Sequence, residues 1–206
     1  MSATIREERI GEVVAASTYE FIAETVELHA SPPFGSFVKV IEPHRPTIYA
    51  LVAYVETGGL DSSRHVFARA QPPHLVDAQV YDEWPELRNV LRTQFTARVV
   101  GHSDSAQHVY HWLPPYPASL HYSVFLCTSA EVKAFTQLHD YLASLLDGPE
   151  NREELIAAAV RHAAAVRDND VNYLLQAGRA IARMLAHDYP RLQLILQRMA
   201  PKEIER

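Results

Sequence analysis

The chain of 206 residues lacks several features typical of membrane, secreted and nucleic-acid-coating proteins. No run of 18 apolar residues is present, which argues against a membrane span. The one cysteine, Cys127, cannot form a disulfide within the chain, and the first nine residues have acids and no apolar stretch. We therefore expect a cytoplasmic protein without a secretory signal. The net charge of -6 is opposite in sign to that of most domains that bind nucleic acid by bulk charge.

Two halves of different composition make up the chain. Residues 1–128 hold ten of the 13 prolines and five of the seven glycines, whereas residues 129–206 hold 14 alanines. Proline and glycine mark turns, and alanine favours helices. The first half is therefore predicted to be rich in β-strands and the second to be helical. Neither half has an excess of Lys and Arg over Asp and Glu.

Short segments rich in β-branched and aromatic residues predict strands in the first half. They are 9–16, 18–28, 36–42, 47–56, 64–70, 93–101 and 107–113. Segment 47–56 is apolar on both alternations, which predicts a strand buried on both sides. Residues 82–92 are predicted to form a short inserted helix that Asp82 caps, with Pro85 in its first turn. Several short strands at this spacing indicate a small antiparallel β-barrel.

Apolar residues at helical spacing predict four helices in the second half. They are 130–146, 151–167, 169–187 and 189–199. The caps predicted for the first three are Ser129, Asn151, and Asp170 or Asn169. The third helix is predicted to bury one stripe, formed by Val171, Leu174, Leu175, Gly178, Ile181 and Leu185. The predicted fold class is α+β, with a small antiparallel β-barrel over about 5–126 followed by a helical bundle over about 129–206.

The first half resembles a known family, the HAS-barrel, which is the N-terminal β-barrel of HerA-type DNA translocases and rotary ATP synthase subunits. The resemblance covers about residues 9–126 and rests on the order and spacing of several blocks. They are Ile10-Gly11-Glu12-Val13-Val14, Thr18-x-Glu20-Phe21, Pro33-Phe34-Gly35-Ser36-Phe37-Val38, Ile48-Tyr49-Ala50-Leu51-Val52, and a later Phe95–Val100 stretch with the proline-rich 111–117 exit. Gly11 in the strand wall and Gly35 in a turn are its fold markers.

The chain departs from that family in the part that carries the motor. In HerA proteins the barrel leads into a RecA-like domain with a phosphate-binding loop, G-x-x-x-x-G-K-[ST]. This chain has no Gly-Lys dipeptide, and its second half reads as helices without parallel strands. ATP hydrolysis therefore does not carry over, and no cofactor is expected. The resemblance implies a role in assembly and docking, as when the NurA nuclease docks on HerA.

The leading hypothesis is accordingly a non-enzymatic interaction module that associates with itself or with an ATPase or nuclease partner. The alternative is a nucleic-acid-binding accessory factor, which the family's work on DNA suggests and the charge does not support. No membrane partner is expected. A metal enzyme is the third hypothesis, and it depends on a group of closely spaced histidines.

Those histidines are His102, His108 and His111, with His121 further on. Imidazole is the commonest metal ligand, but the spacing matches no standard metal motif. We therefore interpret them as surface or hairpin-tip residues and keep a metal site as the alternative.

Other chemistry-bearing residues are predicted to have structural roles. The acids around Trp84 (Asp77, Asp82, Glu83 and Glu86) are interpreted as a solvated helix start, and Cys127 as an inert buried thiol. Arg179 and Arg183 lie four residues apart and are interpreted as a solvated face, with phosphate contact as the alternative. The aromatic residues of the exit segment are predicted to pack against the barrel or helices, with nucleobase stacking as the alternative. They are Tyr110, Trp112, Tyr116 and Tyr122.

Overall fold

The computed structural model describes residues 9–61, 66–68, 77–146 and 152–199. The strands are β1 Arg9–Ala16, β2 Glu20–Thr25, β3 Phe37–Val40, β4 Thr47–Gly59, β5 Leu91–Ser103, β6 Val109–Tyr110 and β7 Ser123–Leu126. The helices are α1 Gln79–Glu83, α2 Ser129–Phe135, α3 Arg152–Ala165, α4 Val171–Met184 and α5 Tyr189–Met199. Two 3-10 helices cover Pro85–Asn89 and Asp140–Leu145. The prediction of an α+β chain with strands first and helices after them is confirmed.

All the strand pairs described are antiparallel and belong to one sheet in the order β2-β1-β7-β3-β4-β5-β6. An additional pairing joins β2 to β5, with Phe21 opposite Ala97. Six strands are therefore linked pairwise in a closed cycle, and β6 is attached to the end of β5. No helix among the described residues is long and apolar enough to cross a membrane.

One cluster of buried side chains lies on the inner side of the strands. It includes Val13, Phe21, Val38, Phe95 and Val124, contributed by five of the strands. Ile48–Val52 on β4 is buried at every position, which confirms the two-sided burial predicted for 47–56 over this part only, because Tyr54 and Glu56 are exposed. Residues on one alternation of β4 join this inner cluster, because successive side chains of a strand point to opposite faces.

The other alternation packs against the helices. Phe37, Tyr49 and Leu51 share a second core cluster with side chains of α2, α3, α4, α5 and the 140–145 segment. Gly35, with φ +81°, makes the turn before β3, and a Cβ there would lie 2.5 Å from the Cβ of Ala158 on α3. Both the backbone conformation and the close helix contact therefore require glycine at this position.

Several predicted elements need correction. The predicted helix 82–92 is two short pieces, α1 and Pro85–Asn89, and neither has a side-chain cap. Segment 64–70 lies mostly outside the described residues, and its described part, 66–68, is not a strand. Strand β7 was not predicted, because its four residues carry a weak alternation signal.

The helical half also differs from the predictions. Helix 130–146 ends at Phe135, where the buried Thr136 hydroxyl bonds back to the Val132 carbonyl at 2.6 Å, and the chain resumes as a 3-10 helix at Asp140. The cap of α2 is Thr128, not Ser129. The Asp170 cap of α4 is confirmed, whereas Asn151 lies outside the described residues.

The predicted buried stripe of α4 is confirmed only in part, since Ile181 and Leu185 are buried and Leu174 packs against the core. The side chains buried on this helix are Tyr173, Ala177, Ala180 and Ile181. Val171 and Leu175, predicted to be buried, are exposed. The exposed side of the helix differs from the prediction because Tyr173 packs on the Asp140–Leu145 segment, where its hydroxyl oxygen lies 3.5 Å from that of Tyr141.

Candidate interaction surface

The three histidines proposed as metal ligands have separate partners. His102 Nδ1 lies 3.1 Å from the Trp112 carbonyl, His108 Nδ1 lies 3.1 Å from an Asp104 carboxylate oxygen, and His111 Nε2 lies 2.8 Å from the Phe135 carbonyl. Among the residues that the structure describes, no group of three or more His, Cys, Asp or Glu side chains is arranged to hold a metal ion.

The interpretation of His102 as a surface residue is wrong. Its ring is buried beneath the 110–112 segment and lies 5.2 Å from the Tyr110 ring. Gly101 allows this, because a Cβ there would collide with the Tyr110 carbonyl. The predicted packing of the exit aromatics holds only in part, since Tyr122 packs on the inner core whereas Trp112 and Tyr116 are exposed.

A groove lies where the last residues of β1 face the exit segment. It is lined by residues 14–16, Arg45 and residues 116–120, and its volume is about 600 Å³. We call it the β1 groove. It brings together three parts of the chain that are far apart in sequence, which is why local patterns did not reveal it.

A buried carboxylate holds one wall of the β1 groove in place. Glu42, two residues after β3, is 6% exposed and accepts hydrogen bonds from the Ser119 amide at 2.7 Å and the Ser119 hydroxyl at 2.8 Å. The Arg45 guanidinium donates to the Ser119 hydroxyl at 3.1 Å and lies 3.4 Å from Glu42. The central carbon of the Arg45 guanidinium also lies 5.3 Å from the centre of the Tyr116 ring. These contacts hold Ser119 and the Tyr116 ring against Glu42 and Arg45.

Main-chain bonds to β1 hold the other end of the exit segment. The Val13 amide donates to the Tyr122 carbonyl at 2.9 Å, and the His121 amide donates to the Val13 carbonyl at 2.8 Å. In the described part of the chain, the pairing of β1 on this side stops at Val13. Residues 14–16 therefore form the end of a strand that borders an open groove.

Apolar side chains form the rim of the groove. Tyr116 is 58% exposed and Leu120 is 53% exposed, and Val14 faces the same groove from β1. The one cation of the lining, Arg45, is already engaged by Glu42 and Ser119. A strand end beside exposed apolar side chains is suited to bind an extended peptide.

A second feature that the sequence analysis missed is a buried ion pair beneath α2. Lys39, on β3, is 1% exposed and donates to the Glu131 carboxylate. Glu131 also closes the capping box of α2 with Thr128. Burial raises the pKa of Glu131, but the hydrogen bonds from Lys39 and the Thr128 amide outweigh it, so the pKa is lowered. The signal available in the sequence was a lysine on the same alternation as Phe37 in an otherwise apolar strand.

The remaining candidates lie apart from the groove. Asp77, Asp82, Glu83 and Glu86 are exposed around the half-buried Trp84, and Cys127 is half-buried against the helical core. Arg179 and Arg183 are exposed on α4.

No protein-family model matches the chain, and a comparison with curated proteins finds no match.

Proposed function

We propose that this chain is a non-enzymatic protein-interaction module whose β1 groove binds an extended segment of a partner protein. The observation that carries the proposal is the preformed groove, in which the Glu42 network fixes one wall and the edge of residues 14–16 that faces away from β2 forms the other. A partner strand is expected to pair with residues 14–16 and to place an apolar side chain against Leu120.

The strand pairings support a finer proposal about the fold. A closed cycle of six antiparallel strands is the pairing pattern of a small barrel, and such a barrel agrees with the resemblance of residues 9–126 to the HAS-barrel. Since that barrel docks partners in HerA-type machines, we propose a P-loop ATPase or its associated nuclease as the partner class.

Peptide is favoured over nucleic acid as the occupant. A nucleic-acid groove needs cations free to contact phosphates, whereas Arg45 is held by Glu42 and the rest of the lining is uncharged. The exposed Leu120 and Val14 are instead the kind of side chain that a protein partner covers.

Binding to two purified proteins tests this function. The full chain is titrated calorimetrically with the HerA-type translocase and with the NurA-type nuclease of the same organism. One of them is expected to bind, and Leu120→Asp is expected to weaken that binding by about tenfold or more, because a carboxylate is placed in an apolar contact.

The matched control is Leu60→Asp. Leu60 has an exposure close to that of Leu120 but lies outside the groove. If neither protein binds, or if both variants weaken binding equally, the proposal is wrong. A gel shift of single-stranded DNA that Leu120→Asp abolishes and Leu60→Asp does not would assign the groove to nucleic acid instead.

A further inference from the structure

The second half of β4, residues 54–59, lies at an edge of the sheet, and we call it the β4 edge. Strand β3 pairs with β4 only as far as Leu51, and two further main-chain bonds join Val52 to Gly35 and Ser36. Beyond Val52 the β4 edge runs in regular register with β5 on its other side. Among the described residues, none forms a main-chain hydrogen bond with the β4 edge on the β3 side. The edge is therefore available to a further strand.

The direction of the free main-chain groups follows from the end of the strand. The Leu60 amide donates to the carbonyl of Val90, just before β5, at 2.9 Å. The N–H and C=O groups of successive strand residues point to alternate sides of the strand. Val55, Thr57 and Gly59 therefore direct theirs away from β5, toward the open side.

The β4 edge is self-complementary about a twofold axis. If two edges pair antiparallel with Thr57 at the axis, the two Thr57 residues face each other, and Val55 of each copy faces Gly59 of the other. All three residues then use their free N–H and C=O groups, in about six main-chain hydrogen bonds. The sheet of one copy continues directly into the sheet of the other.

Charged side chains are complementary in this register. Glu56 of one copy lies opposite Gly58 of the other, and Gly58 lies opposite Arg92 on its own β5. Residues opposite each other share a face of the sheet, and in the described structure a Cβ at Gly58 would meet nothing within 4 Å beyond its chain neighbours. The space between Glu56 and Arg92 across the interface is therefore clear. The Arg92 side chain is 35% exposed, and its ion pair with Glu24 is long, at 4.0 Å.

Apolar side chains lie at the ends of the same register. Tyr54 and Leu60 are 56% and 49% exposed, and the bond to Val90 keeps Leu60 in line with the strand. Tyr54 of one copy then lies opposite Leu60 of the other. Pairing removes both side chains from water, which favours the dimer.

We propose that the β4 edge pairs with the β4 edge of a second copy of this chain, and that Glu56 and Arg92 set the register. Pairing along one short strand buries less area than a standard protein interface, so the dimer is weak and depends on concentration. No residue of the β4 edge lines the β1 groove, so the dimer does not depend on what the groove binds. An extended segment of another protein is the competing occupant. The charges favour a second copy, because one chain supplies both members of the complementary pair.

Engineered disulfides test the register. Glu56→Cys and Gly58→Cys are made separately in a chain that also carries Cys127→Ala. Position 56 of one copy is directly opposite position 58 of the other, within reach of a disulfide, whereas two copies of either position lie about 8 Å apart between Cα atoms, which is too far. On oxidation, the mixed variants are expected to form a cross-linked dimer, and each variant alone is expected to form much less.

Sedimentation equilibrium of the full chain tests the charges at about 50 mM and about 500 mM salt. The wild-type chain is expected to dimerise, and to do so more weakly at the higher salt concentration. Glu56→Lys and Arg92→Glu are each expected to raise the dimer dissociation constant about fivefold or more, because like charges then face each other. Asp168→Lys makes the same change of charge at an exposed position outside the β4 edge and is expected to have little effect.

Mixing the two charge variants provides the decisive arm. At one end of the mixed pair the introduced lysine faces the introduced glutamate, and at the other end the native Glu56 faces the native Arg92. Dimerisation is therefore expected to return to near the wild-type level. Leu60→Asp is expected to weaken the dimer and to leave partner binding at the β1 groove unchanged, whereas Leu120→Asp is expected to do the reverse, so the two sites are tested separately.

Several results would overturn the proposal. They are a wild-type chain that is monomeric at every concentration, charge variants that do not recover on mixing, and cysteine variants that cross-link alone as readily as when mixed. A closed ring larger than a dimer would also contradict it, because twofold pairing occupies the whole edge. If Glu56→Lys weakens binding of the translocase or the nuclease while self-association is unchanged, the β4 edge binds a partner strand and the dimer contact is wrong.

Discussion

Lys39 and Glu131 differ in their access to water, and this difference decides what each contributes to stability. The lysine side chain is 1% exposed and that of Glu131 is 28% exposed. A buried ion pair contributes little relative to apolar residues of the same shape, but a buried charge that loses its partner is costly. The ammonium therefore depends on the carboxylate more than the carboxylate depends on the ammonium.

Glu131→Gln is expected to lower the free energy of unfolding by about 3 kcal/mol, because Lys39 stays buried without its carboxylate. Glutamine keeps the capping box, so the cap is not lost with the charge. Adding Lys39→Met is expected to recover most of the loss. Urea denaturation of the single and double variants measures this, and a double variant less stable than Glu131→Gln would contradict it.

His162 gives the fold a dependence on pH. Its ring stacks on Phe37 with 5.9 Å between ring centres, and none of the described residues forms a hydrogen bond with its buried Nδ1. Burial lowers the pKa of His162 below that of an unfolded histidine. On acidification from an ordinary histidine pKa of about 6.5, the unfolded chain therefore takes up the proton first and stability falls.

His162→Phe is expected to reduce the loss of stability between about pH 7.5 and about pH 5.5, a window above the titration of carboxylates such as Glu131. His187→Gln, at an exposed position, is the control. Urea denaturation at the two pH values gives the difference. An unchanged pH dependence in His162→Phe would show that burial of this ring is not its source.

At the scale of elements, the residue that caps α2 is Thr128 and not the predicted Ser129. Thr128 accepts from the Glu131 amide, and Glu131 accepts from the Thr128 amide at 2.8 Å. Thr128→Ala is expected to cost about 1 kcal/mol and Ser129→Ala much less. Thermal unfolding of the two variants compares them, and the reverse order would restore Ser129 as the cap.

The elements that were predicted well are those with a local signal. Strands β1 to β4 have alternation, β-branched residues and bounding turns, and α3 to α5 have clear helical spacing. The break after Phe135 depends on one hydroxyl of Thr136, and the exposed face of α4 depends on where Tyr173 packs. Neither is contained in the local sequence pattern, so both were mispredicted.

At the scale of the whole molecule, strands and helices share a core. Phe37, Tyr49 and Leu51 are strand residues that belong to the helical cluster. The β1 groove is likewise a product of the tertiary fold, because β1, Arg45 and the exit segment meet only once the strands have paired. Composition indicated two halves, but it did not indicate this shared packing or the groove.

The central claim, that the β1 groove docks a partner, is tested most directly at Leu120, which is exposed and lies beside the end of β1. A photoreactive phenylalanine at position 120 of the full chain, activated in the native host, is expected to cross-link to an extended segment of an ATPase or nuclease. Val14→Asp is expected to abolish that product, and the same probe at position 60 is expected not to form it. A probe at 120 that yields no product, or the same products as the probe at 60, would contradict the assignment of the β1 groove as the docking site.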